Sequence, residues 1–212
     1  MGNHISDEQY GFLPNRQILD VVGISQEFLH SVKKKKLTAF ILKLDLEKAY
    51  DQLDWSFIHI ILLQVGLSLE LSKWIMSCIT SASFSILING SPSLFFKGPR
   101  GTRKGFPLSP YLFILDVEGL SRLIINKEKK LFSGIKVPKT QILNHLLYVD
   151  DVLLFGDGTM ADWKHMNEIV NIFCGESCIN RSSHKSSLSF LCQDQVIIES
   201  GLLIFSLQNG KH

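Results

Sequence analysis

The sequence predicts an α+β protein, an antiparallel sheet with helices packed against it. Three observations lead there. The run Leu146-Leu147-Tyr148-Val149-Asp150-Asp151-Val152-Leu153-Leu154-Phe155 reads as two short buried strands with an acid pair at the turn between them. Phe84-Ser85-Ile86-Leu87-Ile88 and Leu94-Phe95-Phe96 flank Asn89-Gly90, the strongest short-range hairpin signal in the chain. Around these hairpins lie segments whose apolar residues recur at helical spacing.

Composition bounds the function without naming it. The chain has 212 residues, 45% hydrophobic and 20% charged, a balance that builds one main core and leaves little room for disorder. A net charge of +2 permits a local basic surface without requiring one, so a nucleic-acid partner has to be argued from position. Cys78, Cys174, Cys178 and Cys192 are too few for a disulfide framework and fit a reduced, intracellular protein. Met1 to Glu8 lacks the apolar core of a signal peptide and the length of a membrane span. Zinc held by Cys174, Cys178, His184 and Cys192 would match no standard finger spacing.

Taken in order, Gly11 to Asn15 is loop chemistry, closed by Arg16. Ile18, Val21, Val22, Ser25, Phe28, Leu29 and Val32 share one face of a helix that ends in Lys33 to Lys36, positive charge at its negative pole. Leu37 to Asp45 is a strand that terminates at an acid. Asp54 caps a helix from Trp55 to Val65 stopped by Gly66, and Ser68 caps another from Leu69 to Thr80. Gly98 to Pro107 is a loop with Arg100, Arg103 and Lys104. It can bring cations and backbone N–H groups to phosphate but has neither Walker nor dinucleotide spacing. A helix from Leu108 to about Asn126 turns Leu112, Leu115, Leu120 and Leu123 inward and breaks up in Lys127-Glu128-Lys129-Lys130. Gly134 to Pro138 is a short extended piece. Thr159-Met160-Ala161-Asp162 is a capping box for a helix to about Cys174.

Two carboxylates side by side repel, and shutting them from water costs several kcal/mol unless they are paired. Either the Asp150-Asp151 tip is exposed, as in an ordinary hairpin turn, or a cation sits there. Asp45 is presented at another strand end. Were the three to converge, they would offer the all-oxygen donor set that suits Mg²⁺, which keeps water and substrate phosphate in its remaining positions.

Four boxes in order carry a family resemblance. Tyr148-Val149-Asp150-Asp151 resembles the aromatic-x-Asp-Asp box of reverse transcriptases, and Phe40 to Asp51 resembles their first catalytic box. Gly105-Phe106-Pro107-Leu108-Ser109-Pro110 resembles the Gly-Asp-Pro-Leu-Ser-Pro loop, and Gly11 to Arg16 the upstream Gly-Phe-x-Pro-Gly-Arg segment. The set is most similar to plant-type non-LTR (LINE-like) retrotransposon polymerases. The resemblance implies a right-hand polymerase palm over residues 39–190 with an inserted fingers-side loop and helix at about 98–126. It also implies partial fingers over 1–38, an irregular tail over 191–212 and no thumb. It implies Asp45, Asp150 and Asp151 as ligands of two Mg²⁺ ions, with Mn²⁺ as a substitute, and Lys185 as general acid for the leaving pyrophosphate. Tyr50 would gate against a ribose 2′-hydroxyl, and Arg16, Leu46, Arg103 and Lys104 would lie along substrate. The partners implied are an RNA template, a DNA primer and dNTPs, with no membrane and a nuclear setting.

The sequence also departs from the family. Lys104 stands where a glutamine is usual, Phe106 where an aspartate is usual, and Val149 where an alanine is usual. The spacing from Asn180 to Lys185 is expanded. A misplacement of about 1 Å in such a site can cost about a hundredfold in rate. Two readings follow: an RNA-directed DNA polymerase domain, or a catalytically inactive retroelement remnant that at most binds nucleic acid.

Overall fold

The computed structural model describes residues 5–103, 105–131, 135–136, 142–182 and 185–191. The first half runs α1 (Ile18–Lys35), β1 (Ala39–Asp45), α2 (Ala49–Gln52), α3 (Trp55–Gln64) and α4 (Leu69–Thr80), followed by β2 (Ser83–Phe84), β3 (Leu87–Ile88), β4 (Ser91–Pro92) and β5 (Phe96–Lys97). Then come α5 (Ser109–Leu131), β6 (Ile135–Lys136), β7 (Ile142–Leu143), β8 (His145–Tyr148), β9 (Asp151–Gly156), α6 (Met160–Ser177) and β10 (Ser187–Leu191).

The main sheet is antiparallel, in the order β10-β1-β9-β8. Alternation along β1 sends Phe40, Leu42 and Leu44 to one face and Ile41, Lys43 and Asp45 to the other. Leu42 faces Leu154 and Leu44 faces Val152, so β9 adds its own apolar pair to the first face. Against that face lies the large core, with Leu62 of α3, Phe113 and Leu120 of α5, and Trp163 and Phe173 of α6. Phe40 meets Trp163 edge-on at 5.6 Å between ring centroids. Each such side chain removed from water contributes about 1.5–3 kcal/mol.

The second face is divided. At one end α1 covers it, with Val21, Phe28 and Val32 packed on Leu146 and Phe155 and the two phenyl rings 4.6 Å apart. At the other end it carries Lys43, Asp45 and Asp151. The buried stripe of α1 is narrower than its periodicity predicts: Ile18 and Val22 stay on the solvent side.

Several local predictions hold. Asp54 accepts hydrogen bonds from the Ser56 and Phe57 amides at the start of α3, and Ser68 accepts one from the Leu71 amide at the start of α4. Lys36 ends α1 in the left-handed conformation after three lysines in its last turn. Asn89 and Gly90, both at positive φ, turn β3 into β4. Two expectations need correction. The helix at Ser109 does not break up at Lys127 but continues to Leu131, since Lys and Glu are good helix formers and no Gly or Pro interrupts them. At α6 only half of the capping box forms: the Thr159 hydroxyl accepts from the Asp162 amide, while the Asp162 carboxylate accepts from the Asp157 amide.

Residues 8–10 run along the outside of β8. The Tyr10 amide donates to the Leu147 carbonyl, and the Leu147 amide donates to Glu8, each at 2.8 Å. This covers an edge that would otherwise expose unpaired backbone groups. The β3–β4 hairpin and its flanks keep a bare apolar surface, with Leu94 92% and Phe95 78% exposed. Among the described residues, no helix is long and apolar enough to cross a membrane.

Candidate active site

The register between β1 and β9 places Asp45 directly opposite Asp151. Asp150 lies in the two-residue turn between β8 and β9, where Tyr148 pairs with Asp151. The unusual residue of that turn is Val149, at φ +56°, a left-handed conformation that a β-branched side chain rarely adopts. The strain of the turn falls on the valine and on neither aspartate.

Asp45 and Asp150 line one cleft of about 360 Å³ together with Leu46, Tyr50, Ser182 and Lys185. Asp45 is stitched in place on both sides of its own backbone. Its amide donates to the Ser186 hydroxyl at 3.2 Å, and its carbonyl accepts from the Ser182 amide at 2.9 Å. Those two serines flank Lys185, so the expanded spacing after Asn180 still delivers the lysine to the cleft. Tyr50 stacks at 4.9 Å on Phe113, which fixes its ring at the cleft wall. Burial, and then the nearby Asp150 charge, push its hydroxyl pKa up, keeping it a neutral phenol.

Asp151 is not among the residues lining this cleft. Its Oδ1 takes the Lys43 ammonium at 3.1 Å, with both side chains about half exposed. Sequence reasoning passed over Lys43. The signal was available in the alternation of β1, which puts Lys43 on the same face as Asp45. Among the described residues, no three His, Cys, Asp or Glu side chains stand close enough to hold an ion as arranged. The donor chemistry nonetheless fits a hard cation: Asp45 and Asp150 border one cleft, and Mg²⁺ characteristically takes one or two carboxylates, water and substrate phosphate.

A family description, reverse transcriptase (RNA-dependent DNA polymerase), matches residues 1–197. The chain belongs to the reverse transcriptase family. Among its relatives, the transposon TX1 149 kDa protein of Xenopus laevis is 27% identical over 185 residues, covering 86% of this chain and 14% of that protein. The R2DM retrotransposon Pol polyprotein of Drosophila melanogaster is 30% identical over 153 residues, covering 72% and 14%. An uncharacterized mitochondrial protein of Arabidopsis thaliana is 46% identical over 67 residues, 31% of this chain and 55% of that protein. The chain thus spans about a seventh of the first two relatives. Among solved structures, telomerases of Candida albicans and Candida tropicalis, each in complex with a fragment of telomeric RNA, superpose with TM-scores of 0.63 and 0.62 at 16% and 15% identity. They cover 86% and 87% of this chain, which spans 32% and 30% of theirs, and at such identity the likeness is one of fold: a polymerase palm.

The remaining positions expected along substrate in this reverse transcriptase chain are spread out. Arg103 borders a separate hollow of about 420 Å³ with Arg100, Asp51 and Trp55, its guanidinium 5.5 Å above the Phe106 ring. The aromatic that replaces the family's loop aspartate is therefore a platform for the neighbouring arginine. Lys104 lies outside the described residues. Leu46 borders the cleft of Asp45 and Asp150, but its side chain is buried in the core. Arg16 is turned to its own chain: Nη1 donates to the carbonyls of Ser6 and Gln9, and Nη2 pairs with Asp7 at 3.1 Å. As for zinc, His184 and Cys192 lie outside the described residues, and burial pushes the Cys174 thiol up to about 11, which disfavours the thiolate that zinc takes.

Proposed function

We propose that the chain is an RNA-directed DNA polymerase domain that adds dNTPs to a primer 3′-hydroxyl on an RNA template. The observation that carries this reading is the shared cleft of Asp45, Asp150, Tyr50 and Lys185, drawn from three separate segments of the chain. Mg²⁺ held by Asp45 and Asp150, with Asp151 beside them and Mn²⁺ as a substitute, would acidify the attacking hydroxyl and stabilise the leaving oxygen. The primer oxygen bonds to the α-phosphorus as the bond to the β-phosphate bridge breaks. The Lys185 ammonium donates a proton to the departing pyrophosphate. The Tyr50 ring, held against Phe113, excludes a 2′-hydroxyl by contact and so favours dNTP over NTP. Arg100 and Arg103 at the neighbouring hollow attract the nucleic-acid backbone.

We assign 1–38 to a fingers segment and 39–190 to the palm, with the 98–126 loop and helix on the fingers side. We infer a plant-type non-LTR origin, the retrotransposon part supported by the Drosophila R2DM relative and the plant part by the organism of the Arabidopsis one.

Primer extension on an RNA template with Mg²⁺ and dNTPs tests the activity. Product from the wild-type chain and none from Asp150→Asn is the expected result. Equal product from both, or product from neither, sinks the catalytic reading. One observation favours the alternative, a nucleic-acid-binding fold without catalysis: Asp151 is committed to Lys43 rather than to the cleft.

A further inference from the structure

We propose that Lys43 is a positioning residue that holds Asp151 away from the catalytic cleft, leaving Asp45 and Asp150 as the pair that first takes a divalent cation. The inference rests on reading that cleft as a cation-dependent site. Lys43 and Asp45 are two residues apart on the same face of β1, and Asp151 is the register partner of Asp45 across β9. Asp150 precedes Asp151 directly, so three like charges gather at one end of the sheet. Their mutual repulsion works against any arrangement in which all three are unpaired. The Lys43 ammonium offsets one of these charges from within the chain. Its Nζ sits 3.1 Å from Asp151 Oδ1, where it occupies an oxygen that a cation would need.

The pair is placed for this role rather than for folding. Both side chains are about half exposed, where an ion pair adds little to stability. Asp151 consequently stands apart from the cleft that Asp45 and Asp150 share with Lys185. Removing the ammonium frees Asp151 to join the cation site and deletes one positive charge from beside it. Both effects strengthen cation binding.

Mn²⁺ titration of the full chain, followed by the electron paramagnetic resonance signal of free Mn²⁺ at low ionic strength, tests this without reference to activity. Lys43→Met is expected to tighten Mn²⁺ binding about three- to tenfold, the range expected for one nearby unit charge in a water-like dielectric. Lys43→Arg should stay close to wild type. Asp151→Asn should weaken binding little in the wild-type background and erase the gain in the Lys43→Met background, a coupling that additive effects cannot produce. An affinity unmoved by Lys43→Met, or an equal cost of Asp151→Asn in both backgrounds, overturns the proposal alone. Wild-type affinity in Asp45→Asn and Asp150→Asn overturns both this proposal and the cation reading beneath it.

Discussion

Gly11 lies against the backbone of Val149 so closely that a Cβ on the glycine would stand 2.6 Å from Val149 Cγ2 and 2.7 Å from its amide nitrogen. The segment at the chain's start is thereby locked to the turn that carries Asp150. Gly11→Ala should cost about 1–3 kcal/mol, the usual range for overpacking, measured as a shift in urea midpoint at constant slope. Adding Val149→Ala should restore only part of that loss, because the clash with the backbone nitrogen remains.

Gly101 is a second point of contact between distant segments. It has φ +86°, and a Cβ there would meet the Asp51 carbonyl oxygen at 2.6 Å. Its amide donates to Leu53, its carbonyl accepts from the Trp55 indole at 2.9 Å, and the next amide, of Thr102, donates to Tyr50. Gly101→Ala should destabilise the fold by about 2 kcal/mol or more through backbone strain, and Trp55→Phe by about 1 kcal/mol through one lost hydrogen bond. Thermal melts of the two variants should preserve that order.

Asp116 sits in α5 with no exposed surface, and among the described residues neither carboxyl oxygen has a hydrogen-bond partner. Burial, with a smaller contribution from the Asp54 charge, holds its pKa well above the usual carboxylate range. The stability linked to it is therefore fully present below the unfolded carboxylate pKa and is lost as pH rises through the folded value. Asp116→Asn should melt higher than wild type at neutral pH, by roughly 2–4 °C per kcal/mol recovered, and should show a smaller loss between acid and neutral pH. A variant that melts lower at neutral pH would count against this account.

His145 presents the opposite sign. The buried ring is hydrogen-bonded to the Ser121 hydroxyl and to Asn144, and burial lowers its pKa to about 3. Its contribution is present above the ordinary histidine value of 6.5 and is lost as pH falls from there toward about 3. NMR of the ring should show constant carbon shifts from pH 8 to about 5, while exposed histidines titrate. A midpoint near 6.5 would refute the assignment.

Much of this architecture is legible in the residues. Asp54 and Ser68 announce helix starts through the amides they cap, Asn89-Gly90 announces a hairpin, and the ordered boxes around Asp45 and Asp150 announce the family. Other features were hidden because they depend on partners far along the chain. Arg16 looked like a residue for substrate, yet its guanidinium finds the carbonyls of Ser6 and Gln9, in the segment that pairs with β8 through Glu8 and Tyr10. The strand Ser187–Leu191 is a half-exposed edge whose one partner among the described residues is β1, near the other end of the chain, so its place in the sheet is set by a long-range pairing.

The sequence by itself determined which residues could form strands, helices and turns, and which three acids fall in boxes that resemble the family's, since periodicity, caps and motif order are local properties. Only the tertiary structure decided that Asp45 and Asp150 share a cleft while Asp151 turns to Lys43, and that Val149 carries the strain of the turn. The physical reason is register. Strands about a hundred residues apart must pair Asp45 with Asp151 before their charges can repel, and only then does the lysine on the same face find an acid within reach.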